Sequence, residues 1–107
     1  MFTFITHMTA APGKGPALQA LLSHVSEQSR GEPGVIYYGF AVSADDPDRH
    51  VVIEVYRDQA AQASHLQTAW VQDSIPKTMP LIEGIEIKQY VSPGAEPIVM
   101  RLPDGLA

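Results

Sequence analysis

The sequence has no cysteine among its 107 residues. That excludes disulfides, thiolate metal sites, iron-sulfur clusters and thiol nucleophiles together. Basic residues are scarce as well: seven Lys and Arg stand against twelve Asp and Glu, for a formal net charge of -5. The seven are scattered rather than gathered into a stripe that could neutralise phosphates, so nucleic acid is not an expected partner. No window approaches the roughly 20 apolar residues that a bilayer-crossing helix needs. Met1-Phe2-Thr3-Phe4 also lacks the basic start of a secretion signal, so the expectation is a cytoplasmic protein without membrane contact. What is present is an ordinary globular mixture, 45% hydrophobic and 18% charged. It suffices for one core and leaves no room for a separate cofactor domain.

Phe2 to Met8 alternates aromatic or aliphatic with small polar side chains until Ala11-Pro12-Gly13 breaks the run, which predicts a first strand. Leu18, Leu21, Leu22 and Val25 then fall at helical spacing on one face, with Pro16 in the first turn and Arg30-Gly31 as the stop. Val35 to Ser43 predicts a strand that is apolar on both faces, and burial on both sides is therefore expected. Asp45 to Asp48 makes a polar turn into a returning strand, His50 to Arg57. Asp58 suits an N-cap for a helix that starts at Gln59, breaks near Thr68 and resumes through Trp70 before Pro76. Ile85, Ile87 and Val91 alternate with polar neighbours in a last strand.

The order is strand, helix, strand, strand, helix, strand: an α+β, ferredoxin-like βαββαβ fold with an antiparallel sheet and two helices over one face. A chain this short has no third layer for the other face, so a second copy is the simplest cover, giving a homodimer. Residues 93–107, with Pro93, Pro97 and Pro103 around Ile98-Val99-Met100, are expected to form an arm packed on the partner subunit.

Three ordered features carry a family resemblance over about residues 2 to 92. A strand runs into Pro12-Gly13-Lys14 and an amphipathic helix. Glu32-Pro33-Gly34 precedes Tyr37-Tyr38. Glu54-Val55-Tyr56 is followed by Ala60-Ala61 and Ser64-His65-Leu66. In this the chain resembles the antibiotic biosynthesis monooxygenase family of dimeric α/β barrels, which includes quinol and anthrone oxygenases that work without a cofactor. The resemblance implies a pocket between helices and sheet for an aromatic or quinol-like molecule, with oxygen delivered from O2 without metal or flavin. Haem-degrading relatives carry asparagine near His7, tryptophan near His65 and an axial histidine near Ile75. This chain departs at all three, which disfavours haem.

His65 matches the histidine of the family's helix motif and is the first candidate base, since a neutral imidazole can take a phenolic proton. It lies at the edge of the helical arc formed by Leu66, Ala69 and Trp70. His7, on the strand face of Thr3 and Ile5, is the second catalytic candidate, because a polar residue at this position lines the pocket in related proteins. Trp70, Tyr38, Phe40 and Leu66 are the candidate substrate-binding residues, although aromatics at this spacing form core more often than they bind ligands. Glu54 interrupts an apolar strand, and an ion pair with Arg57 or Lys88 at the dimer interface is the expected explanation.

His24 and His50 read as exposed. His50 and Glu54 share a strand face but stand roughly 13 Å apart, too far for one metal, so no metal site is expected. Gly13-Lys14-Gly15 lacks the spacing of a phosphate loop, and no serine sits in the glycine frame of a nucleophile elbow. The reading is a cofactor-independent monooxygenase for a quinol or polycyclic phenol, with O2 as co-substrate. The alternative is a non-catalytic dimeric domain that binds a small aromatic molecule.

Overall fold

The computed structural model describes residues 1–99. In chain order it forms β1 (Phe2–Ala10), α1 (Gly15–Ser29), β2 (Val35–Val42), β3 (Arg49–Tyr56), α2 (Gln59–Leu66), α3 (Ala69–Thr78) and β4 (Ile82–Val91), with a 3-10 turn, Met79–Leu81, leading into β4. The strands lie in the order β2-β3-β1-β4, and every neighbouring pair is antiparallel. This is the expected ferredoxin-like α+β fold. The alternation of side chains along β1 decides which residues meet the helices: Phe2, Phe4 and Thr6 are buried, whereas His7 on the opposite face is exposed.

The periodic residues of α1 behave as their spacing requires. Leu18, Leu22 and Val25 are buried and pack with Tyr38 and Val52 from the sheet and Val71 from α3. A second cluster at the far end joins Phe2, Phe4, Tyr56 and Ala61. Ile98 covers that cluster from the segment that follows β4. The Gln89 side chain holds it there, donating to the Ile98 carbonyl at 2.7 Å and accepting from the Ile98 amide at 2.7 Å. Within one chain, Ile98 is thus tied to β4, because Gln89 offers an amide that pairs with backbone in both directions. Residues 100–107 of the expected arm lie outside the described residues.

The second helical region does break where expected. α2 is capped by the Asp58 carboxylate, which accepts from the Ala61 amide at 2.8 Å, and α3 begins behind the Thr68 cap. Pro76 does not stop α3, contrary to the expectation. It sits in the last turn, and the bond it forfeits is to the carbonyl of Gln72, an exposed residue within reach of water. The Thr78 hydroxyl donates to the Ser74 carbonyl at 2.8 Å, adding a side-chain bond where the backbone ladder is interrupted. β2 is covered on its helix side, where Tyr38 is buried, while Tyr37 remains 53% exposed on the other.

The turn between α1 and β2 seats α2. Gly34 holds a positive φ of +85°, and a Cβ placed there would come within 2.6 Å of the Ala61 side chain. Both the backbone region and the contact require glycine. Gly34→Ala is expected to cost about 1–3 kcal/mol from backbone strain alone. Urea denaturation would show this as a lower midpoint at unchanged slope; an unchanged midpoint would mean that α2 is not seated on this turn.

Candidate active site

Between the helix face of the sheet and helices α1 and α3 lies a cavity of about 210 Å³. Its floor is built by period-two alternation: Thr6 and Met8 from β1, Tyr38 from β2, Val52 and Glu54 from β3, Ile85 and Ile87 from β4. α1 adds Leu21, Leu22 and Val25, and α3 adds Val71 and Ile75. His65 and Leu66, the last two residues of α2, close one corner. The wall is apolar except at that corner and at a few hydroxyls.

The corner holds a chain of polar groups. His65 Nδ1 lies 2.9 Å from Oε2 and 3.2 Å from Oε1 of Glu32. The same Oε2 accepts from the indole nitrogen of Trp70 at 3.0 Å. On the other side of the ring, His65 Nε2 stands 3.6 Å from Oε1 of Glu54, and that oxygen accepts from the Tyr56 hydroxyl. A turn, a strand and the start of α3 therefore converge around one imidazole. The rings of Tyr38 and Tyr56 flank it, with centroids 5.1 Å and 5.4 Å away.

This geometry assigns the proton on the ring. An ionised carboxylate only accepts, so Glu32 fixes the hydrogen on Nδ1 and leaves Nε2 toward Glu54. Glu32 and His65 are both buried side chains, 8% and 3% exposed, so their bond is shielded from bulk water. Burial pushes the Glu54 carboxyl above its usual range. The Tyr56 hydrogen bond and His65 pull it part of the way back, and Glu32 pushes it further up. Burial likewise raises the phenols of Tyr38 and Tyr56, with the charges of Glu54 and Glu32 adding to both. Each phenol is thus held in its protonated form, and Glu54 is a stronger base than an exposed carboxylate.

The candidates named from the sequence divide. His65, Tyr38 and Leu66 line the cavity together. Trp70 does not line it; its indole donates to Glu32, the carboxylate that meets His65. Phe40 packs against the core cluster rather than lining the cavity. His7 is on the opposite face of the sheet, beside a separate depression with Arg49 and Ser43, because its parity in β1 is that of Thr3 and Ile5. Its neighbour Thr6 is the polar residue that β1 turns into the cavity.

Two further expectations change. Glu54 faces the cavity and meets Tyr56 and His65, not Arg57 or Lys88, since its parity is that of Val52 and Tyr56. His50 is 2% exposed rather than exposed, being on the same face, and its Nε2 has no partner among the described residues. Glu32 was visible in the sequence only as part of a turn motif. The signal for its role is a carboxylate before a Pro-Gly turn, but its partner is 33 residues away. Among the described residues no group of three or more His, Asp or Glu side chains is placed to hold a metal ion. Among the same residues no helix is long and apolar enough to cross a membrane.

The raised Glu54 carboxyl has a consequence for stability with a definite sign. Below the ordinary carboxylate range, folded and unfolded chains are both protonated at Glu54 and its contribution is fully present. As pH rises through the folded value the contribution is lost, because the fold must then hold a charge it disfavours. Glu54→Gln is therefore expected to match the wild type near pH 4 and to gain stability over it progressively toward neutral pH. Paired urea titrations across that range check this; a gap that does not widen with pH would contradict the burial of Glu54.

Similarity to known proteins agrees with this architecture. Residues 1–77 match the antibiotic biosynthesis monooxygenase family. A Pseudomonas aeruginosa protein of known structure is 30% identical, with a TM-score of 0.80 over 85% of this chain and 92% of its own. A Nitrosomonas europaea structure that carries the family's name is 26% identical, with a TM-score of 0.82 over 87% of this chain and 99% of its own. An uncharacterised protein of Synechocystis sp. is 34% identical over 80 residues, and the matched segment spans 74% of this chain but only 54% of that relative. A family match across residues 1–77, a shared four-stranded antiparallel sheet and a cavity on its helix face make this chain a member of the antibiotic biosynthesis monooxygenase family.

Proposed function

We propose that the cavity binds a phenolic or quinol-like molecule and that the chain is a monooxygenase for it, acting without a cofactor. The observation that carries this reading is the imidazole of His65, tied through Nδ1 to Glu32 and open at Nε2 toward Glu54 on the cavity wall. A phenol entering the corner meets two acceptors, Nε2 and the raised carboxyl of Glu54. Loss of its proton gives the electron-rich phenolate that O2 oxidises. One oxygen atom then stays on the ring, and the other leaves as water with two hydrogens of the quinol. Among the described residues the lining includes no Lys or Arg, so a neutral ligand suits the cavity and an acidic one does not. Ile75 lines the wall where haem-degrading relatives carry an axial histidine, and no lining cation is available for haem carboxylates.

The homodimer belongs to the same proposal. The sheet face opposite the helices carries Ile5, Ile53 and Val55 only half-buried, with Tyr37 and Tyr90 more than half exposed at 53% and 56%. A contiguous apolar surface of this kind marks an interaction site, and a second copy of the same face would cover it. Sedimentation equilibrium should give twice the chain mass of 11.6 kDa. Tyr37→Glu with Ile53→Glu should return it to the chain mass, and a wild-type protein that sediments at 11.6 kDa would refute the dimer.

The catalytic reading is tested by oxygen uptake over a panel of quinols and anthrones. His65→Ala is expected to lower uptake by about 10²-fold or more, the ordinary contribution of a general base. Because His65 is only 2% exposed, the variant also loses stability. Rescue by added imidazole separates the two effects, since it restores proton transfer and not packing. Saturable binding with no uptake above the spontaneous rate would leave a small-molecule binding domain and overturn the oxygenase.

A further inference from the structure

The cavity has a second polar anchor that the acid-base corner does not use. Thr6 is 4% exposed, lies on the central strand β1 and lines the cavity. The other threonine and serine hydroxyls around the wall are committed: Ser74 donates to the Val71 carbonyl at 2.8 Å and Thr78 to the Ser74 carbonyl at 2.8 Å. The Thr6 hydroxyl takes part in no side-chain hydrogen bond among the described residues. The Thr6 hydroxyl is not one of the fully buried unpartnered side-chain atoms, so it keeps surface open to the cavity, where a ligand oxygen can pair with it.

Its position relative to the corner follows from the sheet register. Thr6 pairs with Val52, and Phe4 pairs with Glu54, so Thr6 and Glu54 are diagonal neighbours on one face of the β1/β3 ladder. Such neighbours lie roughly 7–8 Å apart. Apolar side chains fill the floor around them: Val52, Met8 and Ile87. The arrangement is an apolar slot with a hydrogen-bonding group at each end.

Size narrows the occupant. An apolar cavity of about 150 Å³ holds one benzene, or about 25 Å³ per heavy atom. On that scale the 210 Å³ here holds about eight heavy atoms, which is one ring with two oxygens. The cavity is not closed, so three fused rings would project from its mouth instead of lying within it. We propose that Thr6 is the specificity-determining second anchor and that the cavity takes a single-ring dihydroxyarene, one hydroxyl at the His65/Glu54 corner and the other at Thr6. This rests on the phenol-binding reading above for the nature of the ring, and replaces its polycyclic option.

Calorimetric titration under nitrogen, where no turnover occurs, tests it with hydroquinone, phenol and anthrone. Hydroquinone is expected to bind more tightly than phenol, and anthrone to bind least. Thr6→Val keeps the shape and the strand preference of the side chain. It should weaken hydroquinone about tenfold and leave phenol unchanged, while Thr6→Ser restores the preference. Equal weakening of both ligands, no effect on hydroquinone, absence of hydroquinone binding, or anthrone binding as tightly as hydroquinone would each overturn the proposal. The oxygenase reading fails separately: a Thr6-dependent hydroquinone site with no oxygen uptake overturns only catalysis, and uptake indifferent to Thr6 overturns only the anchor.

Discussion

The bond between Glu32 and His65 ties the turn that ends α1 to the end of α2, next to the close approach of Gly34 to Ala61 and the packing of α1 on α3. Glu32 belongs to the turn that ends α1, and His65 to the penultimate position of α2, 33 residues later. Both side chains are buried, so each needs the other: an uncompensated carboxylate or imidazole there would cost more than the pair contributes. The same carboxylate also satisfies the indole of Trp70 at the start of α3. One buried anion thus fixes the relative placement of a turn and two helices, and the cavity is the space those elements leave above the sheet.

The rest of the corner depends on which way that imidazole faces. With Nδ1 occupied, the second nitrogen meets Glu54, and Glu54 in turn is held by Tyr56. The two carboxylates are not equivalent. Glu32 has two donors in a dry pocket and serves as an orienting group; Glu54 has one donor, keeps 17% of its side chain exposed and borders the cavity, where a ligand can reach it. This difference, one carboxylate enclosed by two donors and the other at the cavity wall, arises from their hydrogen-bond partners and not from residue type.

Much of the fold was legible because it is local. Leu18, Leu22 and Val25 announce α1 by spacing, Asp58 announces α2 by its cap, and alternation announces β1 and β4. The site was legible only in part. His65 and Tyr38 could be found from motif and pattern, but the choice between Thr6 and His7 turns on a parity of one residue. That parity was available, since Phe2 and Phe4 mark the core face of β1; the imidazole of His7 drew attention to the wrong side of the strand. Glu54 and His50 are the same kind of case on β3, polar residues that keep the parity of Val52 and Tyr56. Glu32 was not legible at all as a site residue. Its role needs a partner brought from another helix, and no local pattern encodes that.

The segment after β4 bears on the corner from behind. Ile98, held by the two bonds to the Gln89 amide, covers the cluster that contains Phe4 and Tyr56. Tyr56 is the residue whose hydroxyl restrains Glu54, and it has no surface of its own in contact with solvent. Water admitted beneath Ile98 would compete for that hydroxyl and relax Glu54 toward an ordinary acid. Ile98 shares the helix face of the sheet with Phe4, Tyr56 and His65, so a fusion partner or affinity tag attached beyond it is not chemically silent in this protein.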